Sequence, residues 1–252
     1  MGTIQEIKVL LQHASYDEIP DLIKEYEHDE RAGVVKEVAR ASKRYRDWEK
    51  ELARIEEMKH FEYEYWNQYE YVCGIDEVGR GPLAGPVMAA AVILPKDVNI
   101  LYLNDSKQLS EKKREELYEE IKAQAVAYAV GIADVETIDE INILQADFVA
   151  MRQAIDKLSV KPQLLLNDAV TIPNVNLPQV PIIKGDAKSV SIAAASILAK
   201  VERDRLMCIY DDMYPEYGFA RNKGYGSAEH IDAIKKYGPC EIHRKTFIKH
   251  FI

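Results

Sequence analysis

The spacing of apolar residues gives the first 70 residues a helical character. Apolar residues recur there at alternating steps of three and four, most clearly at Val38, Ala41, Tyr45, Trp48, Leu52 and Ile55. This spacing aligns side chains on one face and predicts an amphipathic helix that packs on neighbouring helices of the same chain. Ile4, Ile7, Leu10 and Leu11 predict an earlier helix, and Pro20 marks a boundary before a second short one. Residues 1–70 are therefore predicted to form a small helical N-terminal domain, with residues 61–70 as a connector.

From residue 71 onward, short apolar runs alternate with amphipathic segments, the pattern of an α/β domain. The runs predict strands at 71–75, 87–94, 126–132, 163–167 and 180–183. The amphipathic segments predict helices at 111–123, 144–158 and 189–213, with one more after Gly226. The first two strands are joined by a short glycine- and proline-rich turn, which favours an antiparallel hairpin. Residues 71–252 are predicted to form one α/β domain.

Composition indicates a globular protein of the cytoplasm. Apolar residues make up 47% of the chain and charged residues 30%. The longest apolar stretch, 87–94, is far shorter than the roughly 20 residues that span a bilayer. Cys73, Cys208 and Cys240 lie far apart, which argues against a disulfide framework or a zinc site. The net charge is −9, but residues 180–252 hold 12 basic and 9 acidic side chains, so a local basic surface could still face a polyanion.

Four acidic residues stand at the ends of predicted strands. Asp76 and Glu77 end the first strand, Asp168 follows the strand at 163–167, and Asp186 follows the strand at 180–183. Carboxylates at strand ends line the functional crevice of many α/β sheets, and Mg²⁺ prefers oxygen ligands. Taken singly, each acid is more often an ordinary turn or surface residue. Neighbours on a strand point to opposite faces, so Asp76 and Glu77 share a site only if the strand bends at Glu77.

Several ordered motifs resemble those of type 2 ribonucleases H, particularly ribonuclease HII. They are GIDEVGRGPLAGPVMAAAVIL from Gly74, LNDSKQLS from Leu103, DEINILQA from Asp139, KGDAKSVSIAAASILAKVERD from Lys184, YPEYGFARNKGYGSAEH from Tyr214 and HRKTF from His243. The resemblance implies a ribonuclease H-like fold, a mixed sheet with its second strand antiparallel and helices on both sides. It also implies a Mg²⁺- or Mn²⁺-dependent endoribonuclease that cuts the RNA strand of RNA–DNA hybrids and DNA at embedded ribonucleotides, leaving 5′-phosphate and 3′-hydroxyl ends. A monomer that acts in ribonucleotide excision repair is expected.

The resemblance also implies roles for particular residues. Asp76, Glu77, Asp168 and Asp186 match the family's four catalytic, metal-binding acids. The motif Gly79-Arg80-Gly81 matches the loop that reads the ribose 2′-hydroxyl, the group that separates RNA from DNA. Tyr225 matches a tyrosine that stacks on the deoxyribose beyond the cut. The alternatives are that the glycines only shape a turn and that Tyr225 is a core or surface residue.

The sequence indicates the residues that contact phosphate less clearly than it indicates the acids. Lys107, Lys184 and Lys188 are expected to sit near the proposed acids and could hold phosphates, although most lysines are merely solvated. The start of the helix near Ser189 offers free N–H groups, which predicts a phosphate seat there. His230, His243 and His250 are interpreted as structural or exposed. Asn167 departs from the apolar residue that the family usually has before the third acid, which predicts a more polar strand end.

Two rival functions remain at this point. The first is an enzyme like ribonuclease HIII, which handles hybrids but not single ribonucleotides; the pattern Gly79-Arg80-Gly81 argues against it. The second is a non-catalytic module that binds hybrids, which the presence of all four acids disfavours. The helical N-terminal segment resembles the extension of family members from Gram-positive bacteria. That extension is thought to assist substrate binding, although the acidic balance of residues 1–70 does not obviously support this role.

Overall fold

Three helices pack against one another in the first part of the chain: α1 (Ile4–His13), α2 (Ile19–Tyr26) and α3 (Ala32–Met58). The computed structural model describes residues 2–251, and these divide between Glu57 and Met58 into two compact units. The core of the first unit contains Ile7, Leu11, Ile19, Val34 and Ala41. The apolar seam of α3 therefore packs on helices of the same chain, as predicted.

The ends of α1 explain why so short a helix forms. At its N-terminus, the Thr3 hydroxyl accepts the Glu6 amide while the Glu6 carboxylate accepts the Thr3 amide, a reciprocal capping box. At its C-terminus, the Arg44 guanidinium donates to the carbonyls of Leu11, Gln12 and Ala14 at 3.1, 2.7 and 2.8 Å. A cation bound to the last carbonyls of a helix satisfies orphan acceptors and opposes the helix dipole. Arg44 thus ties α3 to α1.

The connector predicted at residues 61–70 is wrong, because the chain forms helix α4 (His60–Trp66) there. The second unit continues with strands β1 (Val72–Val78) and β2 (Val87–Ile93), helix α5 (Glu111–Gln124), strand β3 (Ala127–Ala133), helices α6 (Val135–Ile141) and α7 (Ile143–Lys157), strands β4 (Leu164–Asp168) and β5 (Gln179–Ile182), and helices α8 (Val190–Met213), α9 (Phe219–Asn222), α10 (Ala228–Tyr237) and α11 (Lys245–Ile248). Helices α6, α9 and α11 are short elements that the apolar spacing did not predict. No helix of residues 2–251 is both long and apolar enough to cross a membrane.

The five strands form one mixed sheet in the order β3-β2-β1-β4-β5. β2 pairs antiparallel with β1 and β3, while β4 pairs parallel with β1 and β5. Short turns can only connect antiparallel neighbours, so the glycine-rich turn between β1 and β2 gives the hairpin that was predicted. The prediction of a mixed sheet with its second strand antiparallel and with flanking helices is confirmed.

The two faces of the sheet carry different helices. Cys73 and Ile75 of β1 join a core cluster with residues of α7 such as Met151. The opposite face receives α8, and Gly74 makes this possible: a Cβ at Gly74 would lie 2.1 Å from the Ser191 carbonyl carbon. Since real Cβ atoms do not approach so closely, only glycine lets α8 pack directly on β1. The alternation of β1 therefore sends odd-numbered side chains toward α7 and even-numbered ones toward α8.

The N-terminus of α8 is already filled by a protein carboxylate. Glu62 of α4 is fully buried, and its Oε1 accepts hydrogen bonds from the Ser189 hydroxyl at 2.5 Å and the Ser191 amide at 2.9 Å. The predicted phosphate seat near Ser189 is therefore wrong, because the groups that would bind an anion hold Glu62 instead. A carboxylate at this position satisfies orphan N–H groups and interacts favourably with the helix dipole.

We expect Glu62→Ala to destabilise the chain by about 1–3 kcal/mol, because it leaves buried donors on Ser189 and Ser191 without an acceptor. Glu64→Ala is the matched control, since Glu64 belongs to the same helix but is exposed. Urea unfolding followed by circular dichroism measures both. Equal stability of the two variants would contradict a capping role for Glu62.

Candidate active site

The strand register gathers three of the predicted acids at one edge of the sheet. Ile75 of β1 pairs with Asn167 of β4, so Asp76 and Asp168 follow side by side on parallel strands. Asp186 lies in a short 3₁₀ turn, Gly185–Ala187, just beyond β5. The Gly185 amide donates to Asp168 Oδ1 at 2.7 Å, which holds this turn against the end of β4. The parallel pairing of β1 with β4 thus brings together Asp76 and Asp168, whose proximity the sequence alone could not show.

Glu77 reaches the same edge from the other side of the strand. β1 does not bend at Glu77, because its ladder with β2 continues regularly through Val78. The Asp76 side chain lies near the Ser196 hydroxyl of α8, while Glu77 Oε1 accepts from Arg80 Nη1 at 3.4 Å. The bend at Glu77, which was expected to be necessary for Asp76 and Glu77 to share a site, is therefore absent from β1. The two carboxylates nevertheless interact, because both stand at the open end of the sheet.

Burial makes the negative charges at this edge costly. Burial, and then the charge of Glu77, raise the pKa of Asp76 well above its usual range. Burial likewise raises the pKa of Glu77, and Arg80 only partly opposes this. Burial, together with Asp105 and Asp168, raises the pKa of Asp186. Neighbouring buried carboxylates destabilise one another's charged form, so this edge favours protons or a cation.

The donor set has the chemistry of a site for a hard divalent cation. All four side chains offer carboxylate oxygens, and Glu77 Oε2 is buried without a hydrogen-bond partner. Mg²⁺ and Mn²⁺ take such oxygen ligands and usually retain several waters. Within residues 2–251, no group of three or more His, Cys, Asp or Glu side chains is arranged to hold a metal ion as it stands. Binding of a cation by these carboxylates would therefore require them to converge.

A cleft of about 630 Å³ opens beside Glu77. Six of the predicted site residues line it: Glu77, Gly79, Arg80, Gly81, Lys107 and Tyr225. Arg114 and Lys200 line it too, and these two basic residues were missed by the sequence analysis. Lys184 and Lys188 are exposed on either side of the turn that carries Asp186, outside the lining of this cleft.

The two glycines of the loop at residues 79–81 serve different needs. Gly79 has a φ of +92°, and a Cβ there would lie 2.3 Å from Arg203 Nε. The fold itself therefore requires glycine at residue 79. A Cβ at Gly81 would have Tyr225 Cε1 as its nearest neighbour at 3.7 Å, an ordinary contact distance. Nothing in the fold requires glycine at residue 81, so its small size leaves room in the cleft beside Tyr225.

Asp147 of α7 is a buried carboxylate at this site that the sequence analysis missed. It is fully buried, neither of its oxygens has a hydrogen-bond partner, and Arg80 Nε lies 3.7 Å from its Oδ2. The signal was present, because Asp147 interrupts the apolar face formed by Ala146, Ala150 and Met151. A polar residue on the buried face of a helix is unusual and calls for a structural or functional reason.

Other predictions concern the surroundings of the site. Asn167 is buried at the end of β4, and its Nδ2 donates to Gln179 Oε1 at 2.8 Å, so the strand end is more polar as predicted. His230 and His243 are both buried, with their Nε2 atoms 3.0 Å apart. Neither of them is among the residues that line the cleft.

Comparison with known proteins identifies the family. The sequence profile of Ribonuclease HII matches residues 73–250, and that of the Ribonuclease HII N-terminal domain matches residues 3–66. The chain belongs to the ribonuclease HII family. Ribonuclease HII of Lachnoclostridium phytofermentans is 63% identical over 224 residues, which cover 89% of this chain and 88% of that protein. Ribonuclease HII of Lactobacillus acidophilus is 53% identical and covers 97% of this chain and 96% of its own.

A solved structure agrees with this assignment. The ribonuclease H2 of Pyrococcus horikoshii OT3 superposes with a TM-score of 0.58 at 29% identity, over 72% of this chain and 98% of that one. The predicted ribonuclease H-like fold and the predicted resemblance to ribonuclease HII are both confirmed. The chain is an enzyme of the ribonuclease H type, and its family implies endoribonuclease activity on RNA–DNA hybrids.

The buried Asp147 predicts a particular dependence of stability on pH. Burial, with the charge of Glu77, raises the pKa of Asp147 to about 8. The folded state therefore keeps a proton that the unfolded chain releases above about pH 4. The free energy of unfolding should fall by about 1.4 kcal/mol for each pH unit between about 4 and about 8 on account of this group.

Asp147→Asn removes the titration, so we expect its stability advantage over the unmodified chain to grow as the pH rises from 5 to 8. Urea unfolding in buffer containing EDTA measures this difference. Asp156→Asn is the control, because Asp156 lies on the same helix but is exposed. A difference that does not change with pH would contradict the raised pKa of Asp147.

Proposed function

We propose that this chain cuts the RNA strand of RNA–DNA hybrids and also cuts duplex DNA at embedded ribonucleotides. Hydrolysis of the phosphodiester leaves a 5′-phosphate and a 3′-hydroxyl. The observation that supports the proposal is that Asp76 and Asp168 stand side by side at one edge of the sheet, next to a cleft lined by Glu77, the loop at residues 79–81 and the exposed Tyr225. Such a reaction needs two parts, acids that act on the phosphodiester and a loop that recognises the sugar.

We propose Mg²⁺ or Mn²⁺ as the cofactor, held by Asp76, Glu77, Asp168 and Asp186. The raised pKa values of Asp76, Glu77 and Asp186 support this, since a cation would relieve the repulsion that raises them. When bound, such a cation offsets the charge that develops on the phosphoryl oxygens and activates water. The family's dependence on divalent metals agrees with this donor set.

The remaining site residues bind and orient the substrate in this proposal. Lys107 lies in the cleft, and although partial burial opposes it, Asp105 and the catalytic acids raise the pKa of Lys107, so it stays charged near a phosphate. Lys184 and Lys188 are exposed next to Asp186 and would contact phosphates further along the strand. The backbone of Gly79, Arg80 and Gly81 would read the 2′-hydroxyl, and the exposed Tyr225 ring would stack on the deoxyribose beyond the cut.

The wider setting follows from the same activity. We propose that the protein works in the cytoplasm as a monomer in ribonucleotide excision repair. We also propose that residues 1–70 form a helical domain that aids substrate binding and that residues 71–252 form the catalytic domain. The compact units divide earlier, between Glu57 and Met58, because α4 contributes Glu62 to the N-terminus of α8.

Asp76→Asn tests the assigned acids. We expect cleavage of an RNA–DNA hybrid to fall at least about 100-fold, because a buried carboxylate that offsets the reaction's charge is lost. Hybrid affinity should stay within about threefold, since phosphate contacts dominate binding. Asp97→Asn, an exposed acid in the loop after β2, should cleave at the normal rate. Unchanged turnover in Asp76→Asn would overturn the assignment of this acid.

The substrate range is tested with duplex DNA that carries one ribonucleotide. We expect a cut next to that ribonucleotide, with 5′-phosphate and 3′-hydroxyl ends identified by mass spectrometry, because the loop and Tyr225 together suit an RNA-to-DNA junction. An all-DNA duplex of the same sequence is the control and should stay intact. Cleavage of hybrids without cleavage of the single-ribonucleotide duplex would favour the activity of a ribonuclease HIII instead.

A further inference from the structure

Arg244 is a buried cation whose side chain donates hydrogen bonds to the loop between β1 and β2. Its side chain is fully buried, and no carboxylate among residues 2–251 forms an ion pair with it. Nε donates to the Gly85 carbonyl at 2.9 Å, Nη1 to the Arg80 carbonyl at 2.9 Å, and Nη2 to the Gly79 carbonyl at 2.5 Å. Burying an unpaired charge is costly, so these three bonds must bring a compensating benefit.

We propose that Arg244 is a positioning residue, which fixes the backbone of residues 79–81 in the orientation that distinguishes RNA from DNA. This inference rests on the proposed function. A trans peptide has its C=O and N–H on opposite sides. When Arg244 binds the carbonyls of Gly79 and Arg80, the N–H groups of Arg80 and Gly81 must therefore point away from it.

Those two N–H groups have no hydrogen-bond partner within residues 2–251. Gly79, Arg80 and Gly81 line the cleft, so free donors at this place are available to an oxygen of the substrate. A buried guanidinium that pulls the carbonyls inward also stops the loop from turning an acceptor outward. The loop backbone therefore presents these two N–H groups as fixed hydrogen-bond donors, which suit a hydroxyl or phosphate oxygen.

The chain around Arg244 prevents the guanidinium from moving. The Arg244 amide donates to the Leu83 carbonyl at 2.9 Å, and the Gly85 amide donates to the Ile242 carbonyl at 2.8 Å. His243 bridges to Ala84 in the same antiparallel pairing. The segment at residues 242–244 therefore pairs with the far end of the loop and delivers the guanidinium beneath its near end.

The same segment also fixes the backbone of Tyr225. The Cys240 amide donates to His243 Nδ1 at 2.9 Å, so His243 carries its proton on Nε2. That proton lies toward His230 Nε2 at 3.0 Å, which leaves the His230 proton on Nδ1, 2.8 Å from the Tyr225 carbonyl. Burial lowers the pKa of His243 to about 4, so this chain of neutral imidazoles is the state at neutral pH. The segment at residues 242–244 thus holds two parts of the cleft lining, the loop at residues 79–81 and the backbone of Tyr225.

The test compares affinities for two duplexes, one all DNA and one with a single ribonucleotide, using Asp76→Asn as the inactive background. In that background we expect Arg244→Lys to lower the preference for the ribonucleotide duplex by about fivefold, the effect of one lost hydrogen bond. Lysine keeps the charge but cannot bind three carbonyls in a fork. In the otherwise unmodified chain, Arg244→Lys should lower kcat by about 10- to 100-fold with little change in KM, because the phosphodiester is misplaced.

Tyr217→Phe is the matched control. It removes a buried hydrogen bond, from the Tyr217 hydroxyl to the Gly238 carbonyl at 2.7 Å, without touching the loop. We expect it to lower stability but to keep both the preference and kcat. A preference is a ratio of two affinities, so it does not depend on the fraction of folded protein, and a purely structural role for Arg244 would leave it unchanged.

The outcomes separate this inference from the proposed function. If the unmodified chain cleaves neither hybrid nor ribonucleotide duplex, the proposed function fails. If it cleaves both and Arg244→Lys keeps the normal preference, only the positioning role fails. Arg244→Gln is the second variant, and we expect the same loss of preference from it. If neither variant folds, Arg244 is a structural residue and the proposal is overturned.

Discussion

The parallel pairing of β1 with β4 is the interaction on which the site depends. It places Asp76 beside Asp168 at one edge of the sheet, where burial, then the charge of Glu77 and to a smaller extent that of Asp168 raise the pKa of Asp76. The sheet tolerates this arrangement because α8 packs directly on Gly74 and holds β1 in place. The fold therefore supplies the free energy that keeps like charges together. If the proposed cation binds at this edge, it would relieve the repulsion between these carboxylates, and the packing of the strands would then contribute to the affinity for metal.

The loop between β1 and β2 is held in place by buried arginine side chains. Arg203 and Arg244 are both fully buried, and together they donate to six backbone carbonyls of the loop and its neighbours. Burial lowers the pKa of Arg244 to about 9, with the charge of Arg203 adding to the effect. Within residues 2–251, both guanidinium groups bond directly to carbonyl oxygens and form no ion pair with a carboxylate. The loop is thereby fixed through its backbone, with glycine at residue 79 leaving room for Arg203 and glycine at residue 81 leaving room in the cleft beside Tyr225.

The sequence predicted the parts of the structure whose causes are local. Strands such as β2 and helices such as α8 follow from runs of apolar residues, and the strand-end acids follow from the positions of those runs. Glu62 was missed because its partners, Ser189 and Ser191, are more than a hundred residues away. From the sequence, Asp76 and Glu77 were expected to share a site only if β1 bends at Glu77. Only the regular pairing of β1 with β2 through Val78 shows that the strand does not bend there. Contacts made across the tertiary fold leave no periodic trace in the sequence.

Arg80 connects the two halves of the site. Its carbonyl accepts from Arg244, while its guanidinium lies 3.4 Å from Glu77 Oε1 and 3.7 Å from Asp147 Oδ2. A shift of the loop backbone would therefore move the cation that partly offsets the charge of Glu77. Because Glu77 in turn interacts with Asp168, such a shift would reach the acids at the ends of β1 and β4. The proposed contact with the sugar and the electrostatics of the acids would consequently depend on one residue, through the backbone of Arg80 in the first case and through its side chain in the second.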